Sequence, residues 1–245
     1  MEGLVLPIEK VPAKSVNPRF LIIYGRPKSG KTHALSLLPN NLIIDLEGGS
    51  EFIDALAVQA RSIADLSQIA HAIREKNING KYFYKRITID NATRLEEMCL
   101  DYAKQLYMAT PMGKNYKGTD VRTLPNGSGY MYLRQAVRKV IDMFRSLCEE
   151  FILVGHVKDI QIEQNGEELN QMALDLVGKL GSIVCGEADA VGYCYRKGNE
   201  THISFKGGDG TIKEARAQHI KGKDIIIATG NEDGTITTYW DRIYK

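Results

Sequence analysis

Short apolar runs alternate with segments of helical periodicity along most of the chain. Four runs have the length and composition of buried strands, and they cover residues 20–24, 42–49, 86–90 and 151–155. Helical segments are predicted at residues 31–38, 65–76, 92–108 and 130–148. Strands that alternate with helices predict an α/β fold whose sheet is mostly parallel and flanked by helices.

The pattern changes after Gly178, where β character dominates. Residues 190–196 and 201–206 predict a hairpin around Lys197-Gly198-Asn199, and residues 224–229 and 235–240 predict further strands. We therefore expect an N-terminal arm at residues 1–18, a core at residues 19–223 and a β-rich C-terminal extension at residues 224–245.

Two polar segments interrupt the alternation. Residues 109–129 contain two prolines and four glycines and predict a long, mobile surface loop. Residues 157–173, centred on Asn165-Gly166, predict a second polar loop. Loops of this length in a compact domain are often functional.

Composition is that of one globular domain: 245 residues, 43% hydrophobic and 25% charged. The net charge is only +2, but the segment from Lys104 to Arg145 holds eight basic and two acidic residues, so it carries +6 and the rest −4. Four cysteines without metal-ligand spacing indicate reduced thiols. No run reaches membrane-spanning length, so we expect a cytoplasmic protein without a membrane partner.

The first strand runs directly into a glycine-rich motif of known chemistry. Residues 25–32 read G-R-P-K-S-G-K-T, which fits the phosphate-binding loop G-x-x-x-x-G-K-[ST] between a strand and a helix. Lys31 is expected to reach the β- and γ-phosphates, and the Thr32 hydroxyl to hold Mg²⁺. The predicted nucleotide-binding residues are Gly25, Arg26, Pro27, Lys28, Ser29, Gly30, Lys31, Thr32 and His33. ATP is the expected nucleotide because the chain has no N-K-x-D guanine signature.

Polar residues end the next three strands. In open parallel sheets the ligand lies beyond the carboxyl ends of the strands, which places Glu47 towards the nucleotide. Asp90 follows the third strand, a position that suits the second carboxylate around Mg²⁺. His156 follows the fourth strand.

This succession of motifs resembles the RecA-like ATPase core, most closely at Ile43-Ile44-Asp45-Leu46-Glu47. The resemblance implies that Glu47 activates the attacking water, that Asp90 is the Walker B aspartate, and that His156 replaces a glutamine that senses the γ-phosphate. The predicted catalytic residues are therefore Lys31, Glu47 and His156.

A narrower resemblance is to short phage-encoded RecA-like ATPases associated with single-strand annealing recombination. It covers residues 20–223 and rests on the segments LIIDLEGG, RITIDNATRLEE, FILVGHVKD and LVGKLGSIVCGEADAVGY. A phage origin would make the compartment the host cytoplasm.

The resemblance also gives the two polar loops a role, because RecA proteins contact DNA through loops after the third and fourth strand units. The first loop and the helix after it carry cations and aromatic rings, which single-strand binding requires. The predicted DNA-binding residues are Lys114, Tyr116, Lys117, Arg122 and Arg134. The second loop has four acidic residues and one lysine, so it is a poor phosphate contact.

RecA-like ATPases usually act as rings or filaments, in which a cation of the neighbouring subunit completes the site. We therefore expect a homo-oligomer, with Arg216 and Lys221, and also Lys179, as candidates for that cation. Single-stranded DNA and a single-strand binding protein are the expected partners.

Two other functions remain open. The chain could be a nucleotide-dependent loader or assembly ATPase that acts on a protein partner. It could also be a small-molecule kinase, because Arg134 and Arg138 lie four apart and could clamp a phosphate.

Overall fold

The computed structural model describes residues 6, 8–164, 167–208 and 211–245, with the backbone alone at residues 162–164 and 167–169. Its strands are β1 Phe20–Gly25, β2 Asn41–Asp45, β3 Ala57–Gln59, β4 Arg86–Asp90, β5 Glu150–Gln164, β6 Glu167–Leu174, β7 Ala190–Lys197, β8 Glu200–Ser204, β9 Glu214–Ala215, β10 Asp224–Gly230 and β11 Ile236–Thr238. Its α-helices are α1 Lys31–Ser36, α2 Ile63–Lys76, α3 Ala92–Met108, α4 Ser128–Arg145 and α5 Leu180–Glu187.

The strands form one sheet in the order β11-β10-β8-β7-β1-β5-β4-β2-β3, with β6 paired to β5 and β9 to β7. All pairs from β7 to β3 are parallel, whereas β8, β10 and β11 add antiparallel pairs at one edge. The α/β class with a mostly parallel sheet, flanking helices and a β-rich C-terminal part is therefore confirmed.

Helices cover both faces of this sheet, which explains why its central strands are continuously apolar. In β1, Phe20, Ile22 and Tyr24 pack with residues of α2, α3, α4 and α5. The alternate residues Leu21 and Ile23 pack on the other face with α1 and the C-terminal segment. The strand is buried on both sides, so its carboxyl end is held rigidly where the phosphate-binding loop begins.

The residue Asn17, shortly before β1, and the C-terminal residue Lys245 meet at the amino end of the sheet. Asn17 donates to the Glu150 carboxylate at 3.1 Å and to the carbonyl of Lys245 at 2.9 Å. Glu150 in turn forms a buried ion pair of 2.7 Å with Arg86. Before Asn17, residues 8–16 are exposed and form neither helix nor strand; residues 1–5 and 7 of the predicted arm lie outside the described residues.

The prediction of a second loop at residues 157–173 is wrong. Residues 157–164 continue β5 beyond the sheet and pair antiparallel with residues 167–174 of β6, so the segment is a two-stranded ribbon. Asn165-Gly166, the predicted centre of the loop, lies outside the described residues. The hairpin predicted around residues 197–199 is confirmed as β7 and β8.

The first predicted loop is only partly a loop. Residues Val121–Thr123 and Pro125–Gly127 form 3-10 turns, and the buried side chains of Val121 and Leu124 anchor them. Helix α4 starts at Ser128, ahead of the predicted start at residue 130, and ends at Arg145. Helix α1 is likewise shorter than predicted and ends at Ser36.

Within the part of the chain that the structure describes, no helix is both long and apolar enough to cross a membrane.

Candidate nucleotide-binding site

The glycine-rich loop connects β1 to α1 at the carboxyl edge of the sheet. Gly30 has φ 88°, a left-handed conformation that L side chains rarely adopt, and it directly precedes the first residue of α1. Lys28 is also left-handed, at φ 61°. These two positions turn the chain sharply, so that the backbone between Gly25 and Lys31 can curl around a phosphate group.

The Lys31 side chain is buried inside this loop. Its ammonium donates to the carbonyls of Gly25 at 3.2 Å and Arg26 at 2.9 Å, and to the Ser29 hydroxyl at 3.3 Å. Burial lowers the pKa of Lys31, and the nearby Cys194, Asp90 and Glu47 act in the opposite direction. The ammonium is thus held by neutral oxygens in a desolvated site, where the negative charge of a phosphate would be a stronger partner.

Thr32 and Asp90 lie in direct contact. The Thr32 hydroxyl donates to the Asp90 carboxylate at 2.6 Å, although 58 positions separate the two residues. Burial raises the pKa of Asp90, whereas the hydrogen bond from Thr32 and the charge of Lys31 lower it. One hydroxyl and one carboxylate oxygen therefore meet beside the loop, and both are ligand types that Mg²⁺ takes.

Glu47 is positioned by Asp45, which ends β2. The Asp45 carboxylate accepts from the backbone N–H groups of Glu47 at 2.9 Å, Gly48 at 2.8 Å and Ser50 at 2.8 Å. It also accepts from the Ser50 hydroxyl at 2.6 Å. Burial alone would raise the pKa of Asp45, but these hydrogen bonds outweigh it and lower the pKa. Asp45 thereby fixes the turn that aims the half-exposed Glu47 side chain at the site.

His156 lies between Glu47 and Asn91. The Asn91 side-chain oxygen accepts from the backbone N–H of Arg94 at 3.0 Å, so its amide nitrogen faces His156 Nε2 at 2.9 Å. An amide nitrogen donates, and therefore Nε2 accepts and the proton of a neutral imidazole lies on Nδ1. Glu47 Oε1 is 3.5 Å from the same Nε2. The predicted base and the predicted sensor thus meet at the carboxyl edge of the sheet.

The remaining predicted residues of the loop are exposed. Arg26 forms an ion pair of 3.8 Å with Asp159 at the base of the β5–β6 ribbon. Pro27 and Lys28 lie at the tip of the loop, and His33 lies on the open side of α1. Their roles in nucleotide binding stay predictions.

Two of the predicted DNA-binding residues have partners within the chain. Tyr116 packs edge-on against Tyr107 at 5.3 Å and donates its hydroxyl to the carbonyl of Asp120 at 2.7 Å. Arg122 forms an ion pair of 2.7 Å with Asp120. Lys114 and Lys117 are exposed, and Arg134 is half-buried on α4.

The turn at residues 121–123 of the basic segment packs against α3 and α4. Glu96, in the second turn of that helix, accepts from the backbone N–H of Val177 at 3.1 Å. Burial raises the pKa of Glu96, and the charges of Lys158 and Arg122 oppose that shift. The segment around Arg122 and the base of the ribbon therefore both lie close to the helix that follows Asp90.

The candidate cations of a neighbouring subunit lie on the surface. Arg216 contacts Asp189 at 3.5 Å and the carbonyl of Gly186 at 3.0 Å, at the amino end of the sheet. Lys221 is exposed, and Lys179 is exposed just before α5. Arg138 of the kinase hypothesis forms an ion pair of 2.6 Å with Glu187. Because of these pairings, Arg216 is less available to a neighbouring subunit, and Arg138 less available to a phosphate, than the sequence suggests.

Sequence reasoning missed two residues that organise this site. Asn91, which orients His156, carries a signal because an asparagine directly before a helical segment is a typical N-cap. Cys194 of β7 packs under the loop, and its thiol accepts from the Ser29 hydroxyl at 3.8 Å. No local pattern could reveal that contact, because it depends on the parallel pairing of β1 with β7.

Comparison with known proteins gives a family match and a structural neighbour. Residues 17–234 match the model of a family described as AAA domain. A search of curated proteins found no match. The crystal structure of the RadB recombinase is similar to the chain with a TM-score of 0.43 and 11% sequence identity, over 91% of this chain and 92% of that chain.

Proposed function

The chain belongs to the family of AAA domains, and we propose that it is a Mg²⁺-dependent ATPase that binds single-stranded DNA and supports phage DNA recombination or annealing. The observation that carries the ATPase part is the meeting of Lys31, Thr32, Asp90 and Glu47 at one edge of the sheet. This set supplies a phosphate-binding cation, two metal-binding oxygens and a carboxylate that can position water.

ATP and Mg²⁺ fit the residues present. The P-loop backbone and Lys31 would hold the phosphates, and Thr32 and Asp90 would hold the metal ion, which neutralises charge on the transferring phosphoryl group. Glu47 would orient the attacking water, and Asp45 keeps Glu47 in place through the turn at residues 47–50. Asn91 holds the ring of His156, so that its Nε2 lies beside the Glu47 carboxylate.

The DNA part of the proposal rests on the charge and location of the basic segment. Lys114 and Lys117 are exposed cations, and the ring of Tyr130 is 38% exposed in the first turn of α4. Cations that neutralise phosphates and an aromatic face for a base are the requirements for single-strand binding.

A protein partner is the second candidate for the same surface. Met108, Met112 and Met131 are exposed in the same stretch of the chain as Tyr130, and Met112 is 87% exposed. Exposed, flexible methionine side chains are typical of surfaces that bind other proteins. This observation favours the loader or assembly ATPase over the kinase.

The testing experiment measures ATP hydrolysis with and without a single-stranded oligonucleotide, together with anisotropy of a labelled strand across a salt series. We expect DNA-stimulated turnover and an affinity that falls steeply as salt rises. Lys31→Ala serves as the inactive control for hydrolysis. Turnover without any DNA binding at low salt would reject the DNA role and support the protein-partner function. Absence of nucleotide binding by the wild-type chain would reject both.

A further inference from the structure

The phosphate-binding loop packs against the hairpin formed by β7 and β8, which lies outside the motif. A Cβ atom on Gly25 would collide with the backbone carbonyl of Cys194, so the end of β1 and the end of β7 are in close contact. The thiol of Cys194 also contacts Ser29. The C-terminal half of the chain therefore forms one side of the nucleotide site.

Arg196 and Thr201 are directly opposite each other in this hairpin. Side chains alternate along a strand, so both residues share the face of Cys194 that meets the loop. A Cβ atom built on Gly30 would lie 3.1 Å from Thr201 Oγ1 and 3.9 Å from Arg196 Nε. The guanidinium of Arg196 thus adjoins the glycine that precedes Lys31.

The charge of Arg196 is available for a ligand. Its side chain is exposed, and no carboxylate among the described residues forms an ion pair with it. Arg26, the other arginine beside the loop, faces Asp159. Burial raises the pKa of the Cys194 thiol to about 11, and the positive charges of Lys31 and Arg196 oppose that shift.

We propose that Arg196 binds the α- and β-phosphates of the nucleotide and, with Thr201, forms a second wall of the nucleotide site; this inference rests on the proposed ATPase function. Backbone N–H groups of a phosphate-binding loop cradle the α- and β-phosphates, whereas the loop lysine reaches the β- and γ-phosphates. Arg196 adjoins the cradle at Gly30. A guanidinium matches phosphate oxygens with two parallel donors.

This role predicts a specific kinetic signature. The α- and β-phosphates are present in both ADP and ATP, whereas the γ-phosphoryl group is present only in ATP. The β-phosphate gains charge as ADP leaves, but most of a contact to the α- and β-phosphates is already made when the nucleotide binds. The loss of Arg196 therefore raises KM more than it lowers kcat. A cation that stabilises the transferring phosphoryl group would instead lower kcat.

The test compares Arg196→Gln with Lys197→Gln, a neighbouring exposed cation that points to the opposite face of β7. Calorimetry gives the Kd of ADP and, in the absence of turnover, of ATP; steady-state assays give KM and kcat. We expect Arg196→Gln to weaken ADP and ATP binding each by about tenfold, with a smaller fall in kcat, because a hydrogen-bonded charge is lost. Lys197→Gln should match the wild type. Arg196→Lys should recover part of the affinity, because a lysine keeps the positive charge but lacks the two parallel donors of the guanidinium.

Three results would overturn the assignment. ADP binding by Arg196→Gln that equals the wild type would show that the P-loop alone sets affinity. A loss confined to ATP would move the contact to the γ-phosphate, and a fall in kcat at unchanged ADP affinity would make Arg196 a transition-state group. Failure of the wild-type chain to bind ADP would instead refute the proposed function, so the two failures are distinguishable.

Discussion

The Thr32 hydroxyl donates a hydrogen bond of 2.6 Å to the Asp90 carboxylate and so joins the start of α1 to the end of β4. The bond brings together the two oxygens that the sequence assigns to Mg²⁺. Asp90 is buried, and burial raises the pKa of its carboxyl group. A carboxylate retained in a desolvated position costs stability, and the metal ion is what would offset that cost.

We predict that Asp90→Asn separates stability from activity. The amide oxygen can still accept from Thr32, but it brings no buried charge, so the free energy of unfolding at neutral pH should rise by about 1 kcal/mol. Mg²⁺-dependent ATP hydrolysis should fall at least about a hundredfold, because a metal ligand is lost. Chemical denaturation and steady-state assays check the two effects. A less stable Asp90→Asn variant would contradict the desolvation argument.

The same pair predicts a pH dependence. Because the folded pKa of Asp90 lies above its usual value of 3.8, the folded state binds more protons than the unfolded state between the two values. Stability from this group therefore falls as pH rises through that window. The advantage of Asp90→Asn should shrink as pH is lowered through the raised folded pKa of Asp90, because the carboxyl group is neutral below it. Thr32→Ser is the conservative control, because it keeps the hydroxyl that donates to Asp90.

We predict that Glu47→Gln binds ATP but hydrolyses it about a hundred to a thousand times more slowly, because a glutamine cannot take a proton from water. Glu47 is half-exposed, so its substitution should leave the thermal midpoint of unfolding unchanged. Glu232→Gln, an exposed carboxylate after β10, is the matched control. Equal turnover by Glu47→Gln and the wild type would remove Glu47 as the catalytic base.

A third prediction concerns Asp45, which accepts four hydrogen bonds from the turn at residues 47–50. Asp45→Asn replaces one accepting oxygen with a donor, so two of these bonds are lost and the free energy of unfolding should drop by about 2 kcal/mol. The rate of ATP hydrolysis should fall as well, because the turn that positions Glu47 is no longer fixed.

The pH dependence of this effect has the opposite sign to that of Asp90. The pKa of Asp45 is lowered, so its contribution to stability is fully present above the usual value of 3.8 and is lost as pH falls through the lower folded value. Ser50→Ala removes only the hydroxyl bond of 2.6 Å and should cost less than Asp45→Asn. An Asp45→Asn variant with wild-type turnover would show that the turn positions itself without this carboxylate.

Local sequence patterns were sufficient for the phosphate-binding loop and the central strands. Strands buried on both faces are continuous apolar runs, and the loop requires glycine at a left-handed position such as Gly30. The edge at which Glu47, Asp90 and His156 meet also follows from the sequence, because the carboxyl ends of parallel strands share one edge of the sheet.

Contacts between distant segments could not be predicted in this way. Cys194 and Arg196 reach the loop only because β7 pairs with β1, a pairing that joins residues far apart in the chain. The β5–β6 ribbon was missed for a different reason. Its first strand alternates Ile160 and Ile162 with polar residues before an Asn-Gly pair, which is a hairpin signal. Its polar composition is equally typical of a surface loop, so composition alone predicts a loop here.

The last prediction separates the two candidate roles of the basic segment. Lys114 and Lys117 are exposed, whereas Arg122 is held by Asp120 in an ion pair of 2.7 Å. If the segment binds single-stranded DNA, Lys114→Gln with Lys117→Gln should weaken binding and reduce the slope of log K against log salt by about 1.4, whereas Arg122→Gln should have a smaller effect. Met112→Gln, a neighbouring exposed position, is the matched control and should leave DNA affinity unchanged. Anisotropy across a salt series measures both quantities. DNA binding that survives the double lysine substitution with an unchanged slope would remove the segment from the DNA site, and a loss of partner binding by Met112→Gln would assign the surface to a protein.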